Sequence, residues 1–442
     1  MLTERTRPLR VCISTLGCKS NQYDSSALEE ALRGVKLDIV PFPGEADAYI
    51  INTCTVTGKT DYQSRQLIRR VRKLNPGAVV IVTGCYAQVS PEEVGRIEGV
   101  DFIIGNPEKD KILEYLFKGR QEAAKTIVGD YTQGTPFTLR ARSSGGRTRA
   151  NLKVQEGCNR SCSYCIIPRA RGASKSLPLQ DVQREIEALI ENGYREIVLT
   201  GIHLGAYGND FADRADITAV LKLIEGNDYP CRFRISSLDP DEVTHELIDI
   251  LKSSKTVCNH LHLPLQSGDN GIIRRMRRPY TAEEFAKKVL KAARSVEDIS
   301  IGADVIAGFP GENDKEFGNT FSLLKDLPVS YLHIFPFSKR TGTPAAGASG
   351  QVDPRVIKSR CEMLKGLDTE KRLEFYRRFV GHPAEVLVED ARDKKTGLLK
   401  GRARNYIPVA FRGGDGLKAA IAEVTLSGFS ESGMTGSLSG GM

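Results

Sequence analysis

Three cysteines within eight residues, Cys158, Cys162 and Cys165, form the densest group of reactive side chains in the chain. A short loop can fold three thiolates inward so that they grip one face of a metal centre. Three ligands leave a coordination position open, and open sites do chemistry where closed tetrahedral ones hold structure. Cysteine-only ligation suits an iron–sulfur cluster or zinc. A structural zinc ion with a distant fourth ligand is therefore the competing reading. A second set, Cys18, Cys54 and Cys85, is dispersed, but each member lies just past an apolar run, at 11–15, 48–52 and 79–83. If those runs are parallel strands, their ends share one sheet edge and the three loops converge there. The trio could then hold a second centre, again one ligand short of four. Any one of these cysteines alone reads as a small buried apolar residue. Cys12, Cys231, Cys258 and Cys361 lack this placement, and for them the buried reading stands.

The elements that must position these thiols follow from periodicity. Residues 9–117 alternate short apolar runs with helical patterns, which predicts a parallel sheet covered by helices. A second alternation spans about 150–340, with strands expected at 151–155, 196–200, 232–236, 259–263, 300–306 and 331–335. Helices fill the gaps. Thr281 followed three residues later by Glu284 forms a capping box for one over 281–296, and Gly193 closes another over 179–191. Six such units predict a partial β/α barrel, open on one side, with Cys158 directly after its first strand, where such barrels carry their active-site loops. The following strands end in unusual polar and glycine residues: Gly201 and His203, then Ser237, then Gln266, then the run from Ala307 to Glu312. Beyond about residue 376, short β runs at 384–388, 398–403, 407–411 and 418–424 predict a small antiparallel barrel. The tail over 428–442 is rich in Gly and Ser and reads as disordered. Between the two α/β regions, 121–150 reads as a linker. Its basic core over 139–153 holds Arg140, Arg142, Arg147, Arg149 and Lys153 and no acidic residue.

Composition narrows the class. With 442 residues, 40% hydrophobic and 27% charged, the chain is that of a multidomain globular protein. No run approaches the roughly 20 apolar residues of a membrane span. The charged N-terminus lacks a signal core, so a cytoplasmic location with reduced thiols is expected. The net charge is +8, and 355–425 alone carries 16 Lys/Arg against 10 Asp/Glu. Basic residues interleaved with aromatics on a small β-barrel, Arg402, Arg404 and Tyr406 among them, suit phosphate contact and base stacking.

CxxxCxxC at the end of a first barrel strand resembles the radical S-adenosylmethionine superfamily, and Tyr164 matches an aromatic common there. Thr15–Ser25 (TLGCKSNQYDS), Asn52–Thr57 (NTCTVT), Thr83–Gln88 (TGCYAQ), Asp304–Glu312 (DVIAGFPGE) and Phe335–Ala345 (FPFSKRTGTPA) resemble, across nearly the whole chain, the methylthiotransferase family. The resemblance implies three domains: a cluster domain at 8–120, a radical (β/α)6 partial barrel at 151–375 and a TRAM RNA-binding barrel at 376–427. It implies two [4Fe–4S] clusters, one on Cys18, Cys54 and Cys85 and one on Cys158, Cys162 and Cys165. S-adenosylmethionine binds the open iron of the latter, with Gly201, Ser237 and Gln266 as contacts. This sequence has TGI where the superfamily has GGE, so backbone must supply the contact at Gly201. One S-adenosylmethionine methylates sulfur attached to the auxiliary cluster; reductive cleavage of a second yields a deoxyadenosyl radical that enables hydrogen removal. A flavodoxin or ferredoxin-type reductant and a sulfur donor are the expected partners.

Family substrates are adenosines beside the anticodon of tRNA carrying an isopentenyl or a threonylcarbamoyl group, or an aspartate of a ribosomal protein. GCKSNQYDS resembles the threonylcarbamoyl branch, whose form is GCKxNxYxS. A threonylcarbamoyl carboxylate calls for a cation, and Lys339 and Arg340, after the sixth barrel strand, are the residues expected to supply it.

Overall fold

The computed structural model describes residues 7–35, 37–131, 140–142 and 148–439. The first region is a sheet of six parallel strands. Leu9–Thr15 lies between Leu37–Ile39 and Ala48–Thr53, and Val79–Gly84, Phe102–Ile104 and Lys125–Ile127 follow outward. Ala48–Thr53 and Val79–Gly84 are buried along their whole length. This is the mark of a parallel sheet covered on both faces, and separate apolar cores occupy the two sides. The chain reverses its direction of travel across the sheet beside Leu9–Thr15, so the crevice at the carboxyl ends opens there. Lys125–Ile127 corrects the expected linker: these residues pair in parallel with Phe102–Ile104 and form the sheet's edge. An edge strand of three residues, two of them exposed, leaves no apolar periodicity to read.

Six parallel strands make the central region: Ala150–Lys153, Glu196–Thr200, Arg232–Ile235, His260–Gln266, Ser300–Ala307 and Tyr331–Pro336. They form two three-stranded sheets that meet at a parallel bridge between Phe233 and Val257. The result is the expected partial barrel. Alternation along His260–Gln266 explains its two faces: Leu261, Leu263 and Leu265 enter the core beneath the helices, while His260 and His262 meet Tyr331 on the other side. Each such leucine contributes on the order of 1.5–3 kcal/mol. Helix Ala282–Ser295 starts at the Thr281–Glu284 capping box, and Gly193, in a left-handed conformation, follows helix Leu179–Glu191. Lys153, the last cation of the basic stretch, ends the first barrel strand as expected, but is buried between Asp24 and Glu156. Residues 143–147, the centre of that linker, lie outside the described residues.

Helix Pro354–Arg377 leads into a closed five-stranded barrel of Pro383–Val388, Leu399–Ala403, Pro408–Phe411, Ile421–Ser430 and Gly433–Leu438. The last strand overturns the expected disordered tail for all but its final residues, 440–442, which lie outside the described residues. Gly433–Leu438 pairs with both Ile421–Ser430 and Pro408–Phe411 and so closes the barrel. The glycines that read as disorder are points of close approach. A Cβ on Gly433 would lie 2.5 Å from the carbonyl of Pro408, and one on Gly436 2.5 Å from that of Thr425.

Candidate active site

The three dispersed cysteines meet at the carboxyl edge of the first sheet. Cys18 caps the start of helix Lys19–Arg33, Cys54 follows Ala48–Thr53, and Cys85 opens the short helix Cys85–Val89. Each thiol lies within electrostatic reach of the other two, and none is in a disulfide. The motif residues around them sew the loops together. Asn21 donates to the carbonyls of Leu16 and Thr53, both at 2.8 Å. Asn52 donates to the carbonyl of Asn21 and to Ser25 Oγ. Thr53 Oγ1 donates to the carbonyl of Thr83 and accepts from the amide of Ala87. Gly17 is required by contact: its positive φ presses it on Cys54, and a Cβ there would lie 2.6 Å from the Cys54 sulfur. Burial pushes the Cys54 thiol up to about 12, so metal binding would have to displace its proton.

Arg171, which ends the short helix Ile167–Arg171 after Cys165, crosses from the barrel to this trio. Its Nε lies 3.2 Å from Cys85 Sγ, and its other nitrogens reach Asp24, Glu156 and Asn21. Lys109 and Lys153 also bind Asp24, at 2.6 Å each. Three buried cations thus face two buried carboxylates, an excess of one positive charge beside Cys85. Buried charge needs compensation, and thiolates carrying an anionic cluster would provide it. The donor set fits such a group.

The second trio occupies one loop at the carboxyl rim of the barrel. Cys165 feels the charges of Cys162 and Cys158, and its thiol is pushed up to about 12 by burial. Ser163 anchors the loop, its hydroxyl donating to the carbonyl of Arg275 and its amide to that of Met276. Cations attend these sulfurs too: Arg278 Nη1 lies 3.2 Å from Cys162 Sγ, and His203 touches Cys158. His203 is itself held by Glu242 at 2.5 Å and by Asp239, and these bonds raise it to about 11 against the effect of burial. It is therefore a charged support for Cys158.

The other residues expected on this rim are there. Gly201 follows the second strand, with Gln155 so close that a Cβ would lie 2.8 Å from its Oε1. Gln155 in turn accepts from the His203 amide. Ser237 is exposed after the third strand. Gln266 ends the fourth at a register shift, with φ of +65°, a strained position of the kind functional sites hold. Glu312 accepts from the Gly308 amide and pairs with buried Arg360 at 2.8 Å.

The expected substrate cations fare differently. Lys339 is exposed. Arg340 is buried and committed to Asp61 and Thr55 beside Cys54, so it clamps the barrel to the cluster sheet and is not a free cation. Arg404 donates to the carbonyls of Lys255 and Val257, and Arg402 lies over the Tyr406 ring and donates to its carbonyl. Arg404 thus fastens the small barrel to the base of the large one, while the Arg402 side chain packs within the small barrel on Tyr406. Sequence reading missed Arg171, Arg278, Asp24 and Lys109. Only the position of Arg171 and Asp24 next to cysteine motifs offered a signal.

Comparisons with known proteins agree with this geometry. Residues 152–324 match the Radical SAM superfamily, and residues 10–105 match the Uncharacterized protein family UPF0004. A threonylcarbamoyladenosine tRNA methylthiotransferase MtaB of Bacillus subtilis (strain 168) is 39% identical, over 94% of this chain and 93% of that protein. One from Thermotoga maritima is 36% identical over 91% of each. A tRNA-2-methylthio-N(6)-dimethylallyladenosine synthase of Carboxydothermus hydrogenoformans is 34% identical, over 94% of this chain and 96% of that protein. Among solved structures, the radical S-adenosylmethionine methyltransferase TsrM of Kitasatospora setae superposes with a TM-score of 0.56 at 14% identity, covering 77% of this chain and 74% of that one, a likeness of fold. No helix among the described residues is long and apolar enough to cross a membrane. Thiol trios on two facing rims, joined by Arg171, and identity of this extent over nearly the whole chain lead to one assignment: the chain belongs to the radical S-adenosylmethionine methylthiotransferase family, whose chemistry calls for S-adenosylmethionine and a [4Fe–4S] cluster.

Proposed function

We propose that this enzyme transfers a methylthio group to C2 of threonylcarbamoyladenosine beside the anticodon of tRNA. The observation that carries the reading is the Arg171 bridge: one side chain ends the helix after Cys165 and bonds Cys85, so the two trios face one cleft. Cys158, Cys162 and Cys165 would hold the cluster that binds S-adenosylmethionine, and Cys18, Cys54 and Cys85 a second. These groups supply one-electron chemistry and a sulfur carrier, which side chains lack. The chain's own residues do the rest. Arg278 and His203 offset thiolate charge at the first site and Arg171 at the second. Gly201, Ser237 and Gln266 line the rim where S-adenosylmethionine would sit. Asn21, Asn52 and Thr53 keep the dispersed loops in register. Lys339 remains available to RNA phosphate, and the small barrel serves as the TRAM-type RNA-binding module. A flavodoxin or ferredoxin-type protein delivers electrons, a separate donor supplies sulfur, and the setting is cytoplasmic.

Anaerobic reconstitution should yield brown protein with about eight irons per chain, as two four-iron clusters. With reductant, S-adenosylmethionine and a sulfide source it should methylthiolate an anticodon stem-loop bearing threonylcarbamoyladenosine and release deoxyadenosine. A colourless protein with about two zinc ions and no cleavage would overturn the reading. Modification confined to isopentenyladenosine would move the chain to the other branch.

A further inference from the structure

The barrel lumen holds a chamber of about 460 Å³ where all three regions meet, within the range of roughly 300–1,000 Å³ typical of small-molecule sites. Lys19 and Gln22 enter it from the cluster sheet, Arg149, Asn151 and Arg234 from the barrel side, and Tyr406 from the small barrel. Most of its charge is spoken for. Glu196 binds Arg232 at 2.7 Å and Arg234 at 2.9 Å. Arg234 also donates to the carbonyls of Ala403 and Arg404. Arg149 lies 3.6 Å from Glu389, at the chamber's edge. Among the described residues, Asp390, also on the wall, accepts from the Thr148 hydroxyl and has no ion pair, and Lys19 is the one lining cation whose ammonium has neither an ion pair nor a hydrogen bond. Lys19 shares the wall with Tyr406, Arg234 and Arg149 and lies within electrostatic reach of His260. His260 adds a second unspent group. It is 4% exposed, its ring lies 4.8 Å from that of Tyr406, and its Nδ1 has no partner. The floor is held in a costly conformation, Tyr406 having a φ of +69° with the Arg149, Arg234 and Arg402 guanidiniums around its ring.

A half-buried ammonium without an ion pair, beside a buried imidazole nitrogen without a partner, is costly unless something binds there. The geometry points to a carboxylate subsite: Lys19, with His260, Gln22 and Asn151, receives the carboxylate and hydroxyl of the threonyl side chain of the substrate adenosine. This rests on the proposed function and specifies how it selects its substrate. Lys19 directly follows Cys18, so a base placed against the auxiliary trio would send its N6 substituent past Lys19 into the lumen. Asn151 and Gln22 are already joined at 3.4 Å and present an amide pair along the way. An isopentenyl group would leave the ammonium unmatched, and a site built to bind a polar group rejects the analogue lacking it. Lys19 thus determines specificity and takes no part in the radical step.

The test uses the reconstituted holoenzyme and three anticodon stem-loops, carrying threonylcarbamoyladenosine, its threonine methyl ester, or isopentenyladenosine. The native enzyme should favour acid over ester by at least tenfold in kcat/KM. Lys19→Met should bring the two within about twofold, and Lys19→Arg should keep most of the preference. Iron content and deoxyadenosine release without RNA report separately on the clusters. If Lys19→Met loses iron, the native acid-to-ester ratio and the arginine variant decide alone. Equal use of acid and ester by the native enzyme, or a preference unchanged in Lys19→Met, overturns the subsite while leaving the function intact. No methylthiolation of the acid at all would instead sink the function itself.

Discussion

The two cysteine trios reach similar arrangements by opposite routes. Cys158, Cys162 and Cys165 belong to one loop, and two hydrogen bonds from Ser163 to Arg275 and Met276 anchor it. Cys18, Cys54 and Cys85 come from three loops of one sheet, and a buried amide and hydroxyl network must bring them together. A local site carries its geometry in its spacing. A dispersed one borrows its geometry from the fold, so it should fail by routes that leave the local one intact.

The largest effects lie at the thiols. Alanine at Cys18, Cys54 and Cys85 should remove about four irons and all methylthio product, yet keep deoxyadenosine release. Alanine at Cys158, Cys162 and Cys165 should abolish both. Both variants should keep about four irons, so nucleoside and deoxyadenosine quantification separates the two, and loss of deoxyadenosine release from the Cys18, Cys54 and Cys85 variant would break the comparison. Next comes Arg171→Met, which takes a shared partner from Asp24, Glu156 and Asn21 and removes the positive excess beside Cys85, although Lys109 and Lys153 still balance the two carboxylates. Loss of one partner from a buried charge cluster costs about 3–5 kcal/mol, read as a lower denaturation midpoint of the unloaded protein together with selective loss of the auxiliary iron. Asn21→Ala should lose that iron too, at a smaller stability cost of about 1–3 kcal/mol for unsatisfied buried carbonyls.

A pH scan addresses the base of the barrel. Burial alone would raise Glu196, but Arg234 and Arg232 hold it at about 2. A depressed carboxyl contributes stability that is complete above its ordinary value near 4.5 and is lost as pH falls toward 2. Docking of the small barrel, followed by limited proteolysis after helix Pro354–Arg377, should therefore weaken between those values and be insensitive to pH from 6 to 8. Glu196→Gln should flatten the acid response. The smallest effect is expected at Thr281→Ala, about 1 kcal/mol for a lost helix cap, with the iron count unchanged.

Much of this was legible from local patterns. The capping box at Thr281, the strands after which the thiols lie and the CxxxCxxC loop are all properties of short segments. What escaped was of two kinds. Glycine has one composition and two meanings: at Gly433 and Gly436 it admits a neighbouring backbone, yet in sequence it resembles a flexible tail. Charge has a sign but no address. Arg404 read as basic surface and Arg340 as a substrate cation, yet both lie at joints between regions, while Lys19 was legible only as one letter of the GCKxNxYxS pattern, with nothing to say where its ammonium lies.

The sequence alone determined which atoms could bind metal and where along the chain strands would deliver them, because ligand type and apolar period are local quantities. Tertiary structure decided which cations are spent and which remain. An ion pair depends on distances between segments more than a hundred residues apart, as Arg171 with Asp24 and Lys153 with Asp24 illustrate, and no pattern within either segment encodes that distance.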